Sequence, residues 1–102
     1  MINKVKIGCL EYTVIETDEP LIINGKADYN GIVNYETLTI KIKKDMAEQA
    51  KELVLWHEIL HGIEKQYNLE LGENRENIIE SFANGVYQLL QNNKGLPGCD
   101  DA

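Results

Sequence analysis

The run Val54-Leu55-Trp56-His57-Glu58-Ile59-Leu60-His61-Gly62-Ile63 places two imidazoles four residues apart in an apolar, helix-favouring stretch. On a helix, residues at i and i+4 lie one above the other on the same face. Both rings can therefore converge on one tetrahedral zinc, and Glu58, next to the first of them, reaches the metal's open position as a general base. These are the only histidines in the chain. The plain alternative is an exposed helix that carries two histidines and no metal. A catalytic zinc needs a third protein ligand besides an open position, so the rest of the chain has to supply one.

Three arguments sort the candidates. The position six residues after His61, where an extended motif would carry another histidine, is Tyr67. Glu64 shares a face with His61 but stands about 10 Å along the axis from His57 at 1.5 Å rise per residue, too far for one ion, and is expected to be a solvated charge. A second helix carries Glu73, Glu76 and Glu80. If the first helix ends near Tyr67 and the second starts near Asn74, six residues lead down from His61 and six lead back up to Glu80. Two antiparallel helices then return that carboxylate to the level of the histidines. Glu80 also stands among Ile78, Ile79 and Phe82, where an unpaired carboxylate is costly to bury. Glu73 and Glu76 fall in or near the first turn, where attraction to the helix N-terminus explains them sufficiently. The expected ligand set is His57, His61 and Glu80, with zinc as the cofactor.

The elements that must hold this set are legible in outline. Lys4 to Ile7 and Leu10 to Glu16 are β-rich on either side of Gly8, and are expected to pair as a hairpin. Asp18-Glu19-Pro20 stops the second strand. Leu21-Ile22-Ile23 fits either a short strand or a helical turn, and three residues do not decide. A strand through Ile32 and Val33, a bend at Asn34 to Glu36, and alternation of Leu38, Ile40 and Ile42 with Thr39, Lys41 and Lys43 complete the sheet. Asp45 and Glu48 have capping-box spacing, so the active-site helix is expected from Met46 to Gly62 or on to Tyr67. Its core stripe is expected to be Leu53, Trp56, Leu60, Ile63 and Tyr67. The second helix, Arg75 to about Gln91 behind an Asn74 cap, is expected to bury Ile78, Ile79, Phe82, Val86, Leu89 and Leu90. Gly85 within it costs about 1 kcal/mol relative to alanine and suggests close helix packing. The fold class is thus α+β: a small antiparallel or mixed sheet of hairpins packed on two helices.

Composition narrows the function. The chain has 102 residues and a net charge of −7, with a pI near 4.7. That is enough for one domain, expected over residues 1–93, followed by a turn-rich, charged and flexible tail over 94–102. The negative field argues against nucleic acid or an anionic membrane as partner. Cys9 and Cys99 have no paired-ligand spacing, and Met1-Ile2-Asn3-Lys4 lacks a secretory h-region, so a reduced, cytoplasmic location is expected.

With His57-Glu58-Ile59-Leu60-His61 followed by Glu80-Ser81-Phe82-Ala83-Asn84, the chain resembles the gluzincins, whose HExxH is followed by ExxxD. Its size and element order are similar to the minigluzincins and to small phage and bacterial metallopeptidases of the ImmA/IrrE type. The resemblance covers roughly residues 4–92. It implies a zincin-like fold and peptide-bond hydrolysis, with substrate lying along an edge strand in the Ile32 to Ile42 region. It also implies Asn84, in place of the family's aspartate, as the support for His57. Its repressor-cleaving members imply a transcriptional regulator among possible protein or peptide substrates. An oxyanion donor is expected beyond the metal. Tyr87, two turns after Glu80, is the first candidate, and Tyr67 and Tyr35 are alternatives. Cys99 in the tail is a candidate inhibitory zinc ligand. Two other functions compete: a catalytically idle interaction module, against which the presence of Glu58 argues, and a purely structural zinc domain, against which the three-ligand count argues.

Overall fold

The computed structural model describes residues 1–26 and 29–97. The chain runs β1 (Lys4–Ile7), β2 (Leu10–Thr17), β3 (Gly31–Asn34), β4 (Thr39–Lys43), α1 (Glu48–Gln66) and α2 (Arg75–Asn92), with a 3-10 turn at Gly72–Asn74 leading into α2. The fold is the α+β arrangement expected from the pattern.

β1 and β2 form the expected hairpin, with Val5 opposite Tyr12 and Ile7 opposite Leu10. The reversal uses Gly8 at φ +63°, a conformation that glycine adopts without steric cost. The chain leaves the sheet after Thr17, returns at Gly31 as β3 on the outer edge, and folds back as β4 into the centre. The strand order is β1-β2-β4-β3, with β2 and β4 parallel and β3 antiparallel to β4. The β3–β4 bend is fixed by Asn34 Oδ1, which accepts from the backbone N–H groups of Glu36 and Thr37, as Asx turns do. Leu21 is buried, while Ile23 pairs only with Lys26 in an isolated bridge. The ambiguous apolar triplet is therefore neither a strand of the sheet nor a helical turn.

One face of the sheet makes the core. Ile7, Tyr12, Val14, Ile40 and Ile42 pack on Leu55 of α1, with Val54, Ile59 and Ile63 alongside. The face that α1 turns inward differs from the hydrophobic stripe in its sequence. Its buried positions include Lys51, Leu55, Glu58 and Gly62, whereas Tyr67 is 60% exposed. Counting apolar residues misassigns this face because several of its members are polar and paired. Lys51 Nζ, for example, reaches Glu16 of β2 at 2.7 Å and Glu48 at 2.9 Å. Gly62 permits close approach, since a Cβ there would stand 2.5 Å from Ile7 Cδ1.

Three local expectations fail for identifiable reasons. α1 begins at Glu48, with Ala47 as its N-cap and no side-chain capping bond. Met46 instead turns onto the core, so the Asp45/Glu48 box does not close. α2 buries only Ile79 and Ala83 and leaves Phe82 63% and Leu89 51% exposed. Among the described residues its long-range packing is against α1 alone, so one stripe is covered and the opposite one is not. Gly85 has open space around it and marks no close contact. The last residues of the expected tail, Cys99 included, lie outside the described residues. Among the described residues, no helix is long and apolar enough to cross a membrane.

Candidate metal centre

α1 and α2 lie antiparallel, and their side chains pair in a ladder that fixes the register. Tyr87 donates to Glu52 at 2.9 Å. His57 Nδ1 meets Glu80 Oε2 at 3.0 Å. His61 Nε2 meets Glu76 Oε1 at 3.0 Å. Arg75 Nε and Nη2 donate to Glu64 at 2.8 and 2.6 Å. Every step up α1 is a step down α2. Arg75 is therefore already level with Glu64, and Glu76 follows beside His61.

The partners of the two Nδ1 atoms determine what the Nε2 atoms offer. Glu80 faces Nδ1 of His57, and Glu64 Oε1 faces Nδ1 of His61 at 3.1 Å. The Arg75 fork, ahead of its opposing burial, holds the Glu64 carboxyl below the usual carboxylate range. With a carboxylate facing each Nδ1, the neutral tautomer that carries its proton there would turn a lone pair outward at Nε2. Those two Nε2 atoms stand 3.1 Å apart. The Glu76 carboxylate lies 3.0 Å from one through Oε1 and 3.4 Å from the other through Oε2. In that tautomer three acceptors converge, a set that a bound cation would satisfy; with either ring protonated, its Nε2 would instead donate to Glu76. Ligand bonds of 2.0–2.1 Å at tetrahedral angles imply ligand–ligand edges of about 3.3–3.4 Å. The donor set accordingly fits a metal: His57, His61 and Glu76 offer atoms within 4.8 Å of one another and could hold an ion.

The group that could hold an ion thus contains Glu76 where the sequence pattern leads to the expectation of Glu80. Glu80 reaches the Nδ1 side of His57, away from the converging Nε2 lone pairs, and Glu76 takes the position assigned to it. The count down one helix and up the other is one turn out, because the 3-10 turn at Gly72–Asn74 and the Arg75–Glu64 pair bring α2 level with His61 early. Glu64 is buried and is not a solvated charge. Asn84 does not support His57; its Nδ2 donates within α2 to the Glu80 carbonyl at 2.9 Å. Tyr87 is engaged with Glu52 and lines neither cleft at the centre, so it is not placed as an oxyanion donor. Tyr67 is exposed, while Tyr35 donates to the His61 carbonyl at 3.3 Å and lines the cleft with Arg75 and Tyr29. The overlooked signal was the matching i,i+4 spacing of Glu76 and Glu80, which meets the His57/His61 pair residue for residue on facing helices.

Comparison of the chain with family models, with curated proteins and with solved structures finds no match.

Glu58 lies where two depressions meet. One, lined by Tyr29, Met46, Leu53, Val54 and Ala83 among others, runs towards the start of α1. The other runs between β3 and the beginning of α2, past Tyr35 and Glu76. Burial, with a smaller contribution from the Glu76 charge, pushes its carboxyl up to about 7. That suits a group that must both take and return a proton near neutrality. β3 passes so close that a Cβ on Gly31 would stand 2.5 Å from Val54 Cγ1 and 3.3 Å from Glu58 Cγ and Oε2. Gly31→Ala is therefore expected to destabilise the fold by about 1–3 kcal/mol, measurable by urea denaturation. Gly62→Ala, which meets only the far end of Ile7, should cost less.

Proposed function

We propose that this chain is a zinc-dependent peptidase. The observation that carries the reading is the convergence of two Nε2 lone pairs and the Glu76 carboxylate beside Glu58, a buried acid with no hydrogen-bond partner among the described residues. On this reading His57, His61 and Glu76 hold the ion, and Glu80 and Glu64 fix the two imidazoles. Glu76 and Glu80 then stand as ligand and support at the i,i+4 spacing of the gluzincin ExxxD, with a glutamate in the aspartate's place. This keeps the resemblance and moves it one turn earlier in α2.

When bound, zinc would polarise a carbonyl and acidify water at this point. Glu58 accepts the proton from the attacking water and later delivers it to the leaving amine nitrogen. Among the described residues β3 pairs with β4 alone, which leaves its other edge open to an extended peptide adding by backbone hydrogen bonds. Gly31, at the start of that edge, brings the peptide towards Glu58. Tyr29, Tyr35 and Arg75 line the same cleft. With the Tyr35 hydroxyl given to the His61 carbonyl and Arg75 Nε and Nη2 to Glu64, Tyr29 and the remaining guanidinium N–H groups are the donors left for a developing oxyanion.

The test is whether hydrolysis of an unfolded protein substrate follows the metal. About one zinc per chain is expected, with activity removed by chelation and restored by zinc. A purified chain that binds no divalent cation would end the reading. Zinc uptake without hydrolysis of any peptide would favour an interaction module that keeps the site.

A further inference from the structure

Resting on the metal-binding reading above, we propose that Arg75, acting through Glu64, is a positioning residue: it orients His61 and sets which carboxylate of α2 meets the ion. Glu64 Oε1 receives both His61 Nδ1 and Arg75 Nη2, while Oε2 receives Arg75 Nε. A guanidinium bound through two nitrogens fixes the plane of a carboxylate as well as its position. The oxygen left facing His61 is thus aimed, and the imidazole plane with it.

The same contact has a second consequence. Arg75 is the first residue of α2, and Glu76 follows it. Clamping residue 75 against residue 64 delivers Glu76 to the Nε2 side and, one turn on, Glu80 to Nδ1 of His57. With the clamp absent, the polar ties left between α2 and α1 near these residues are those of His61 with Glu76 and of His57 with Glu80, side chains that themselves belong to the metal centre. The Glu64 side chain is 9% exposed and that of Arg75 48%. The link thus runs from the cleft, where Arg75 is accessible, inward to the ligand. Lysine carries the charge but lacks the fork, so it should serve only partly.

The experiment measures zinc affinity by competition with a chromogenic chelator, and the visible absorption of the cobalt-substituted protein, for wild type, Arg75→Ala, Arg75→Lys and Glu64→Gln. Arg75→Ala and Glu64→Gln are each expected to raise the zinc Kd about 10–100-fold and to weaken the tetrahedral cobalt bands, with Arg75→Lys between them and wild type. Circular dichroism and metal-free thermal unfolding identify any variant that fails to fold. Should Arg75→Ala be one, Arg75→Lys and Glu64→Gln decide. Folded variants with wild-type zinc affinity and unchanged cobalt spectra, however much less stable, would overturn the positioning role and leave a mere pin between helices. Wild type that binds neither metal overturns the metal reading itself, a different result from variants that match a zinc-binding wild type.

Discussion

Glu76→Ala is expected to leave the purified chain without stoichiometric zinc, whereas Glu80→Ala keeps about one zinc per chain with affinity weakened roughly 10–100-fold. The two carboxylates are one turn apart on the same helix, but they meet opposite sides of His57. Glu76 is within 3.4 Å of both Nε2 atoms, so its removal takes away a donor atom. If about 10–16 kcal/mol of binding at a structural zinc is shared among its four ligands, losing one donor costs about 2.5–4 kcal/mol, or roughly 10²–10³ in affinity. Glu80 touches Nδ1 alone, so its removal frees the ring to turn but leaves every donor in place. The Glu76 side chain is 65% exposed, so metal-free stability should change by no more than about 0.5 kcal/mol. The measurement is zinc content after gel filtration, with unfolding of the metal-free forms beside it. If Glu80→Ala loses the zinc and Glu76→Ala keeps it, the assignment of Glu80 as the ligand is restored.

That reversal of roles shows where the sequence stops speaking. His57, Glu58 and His61 were legible because a single helix relates them, and helix geometry is fixed by the backbone. The third carboxylate depends on the register between two helices, set by a 3-10 turn of three residues and one ion pair. A shift of one turn is invisible to residue counting. The β1–β2 hairpin was legible through alternation and turn residues, as was the central strand with Ile40 and Ile42 on one side. The buried face of α1 was not, because Lys51 and Glu64 are buried with partners distant in sequence, Glu16 and Arg75, His61 is buried beside Glu64, and Glu58 is buried without a hydrogen-bond partner among the described residues. Hydrophobic patterning assigns such residues outward, and here they mark the site. The exposed stripe of α2 errs the other way: Phe82 and Leu89 look like core, but the small sheet does not extend over that face.

Glu58→Gln is expected to keep the zinc and lower peptide hydrolysis by about 10²–10⁴-fold, because the amide retains the shape of the side chain and cannot accept the proton. The same substitution should make the metal-free protein more stable at neutral pH. The carboxyl titrates near 4.5 when exposed and near 7 in the fold, so the folded chain holds its proton more tightly than the unfolded one. Stability from this group is full below about pH 4.5, declines as the pH rises towards 7, and is level above that. Over that span the decline is at most about 3 kcal/mol. Glutamine carries no such dependence, so Glu58→Gln and wild type should unfold alike at pH 4 and diverge by pH 8, with the variant the more stable. Denaturation of the metal-free proteins across that range measures it, and equal stability at both ends would remove the burial cost from Glu58. A gain in stability coupled to a loss of hydrolysis is what a residue retained for chemistry produces, since the fold alone is better served without its charge.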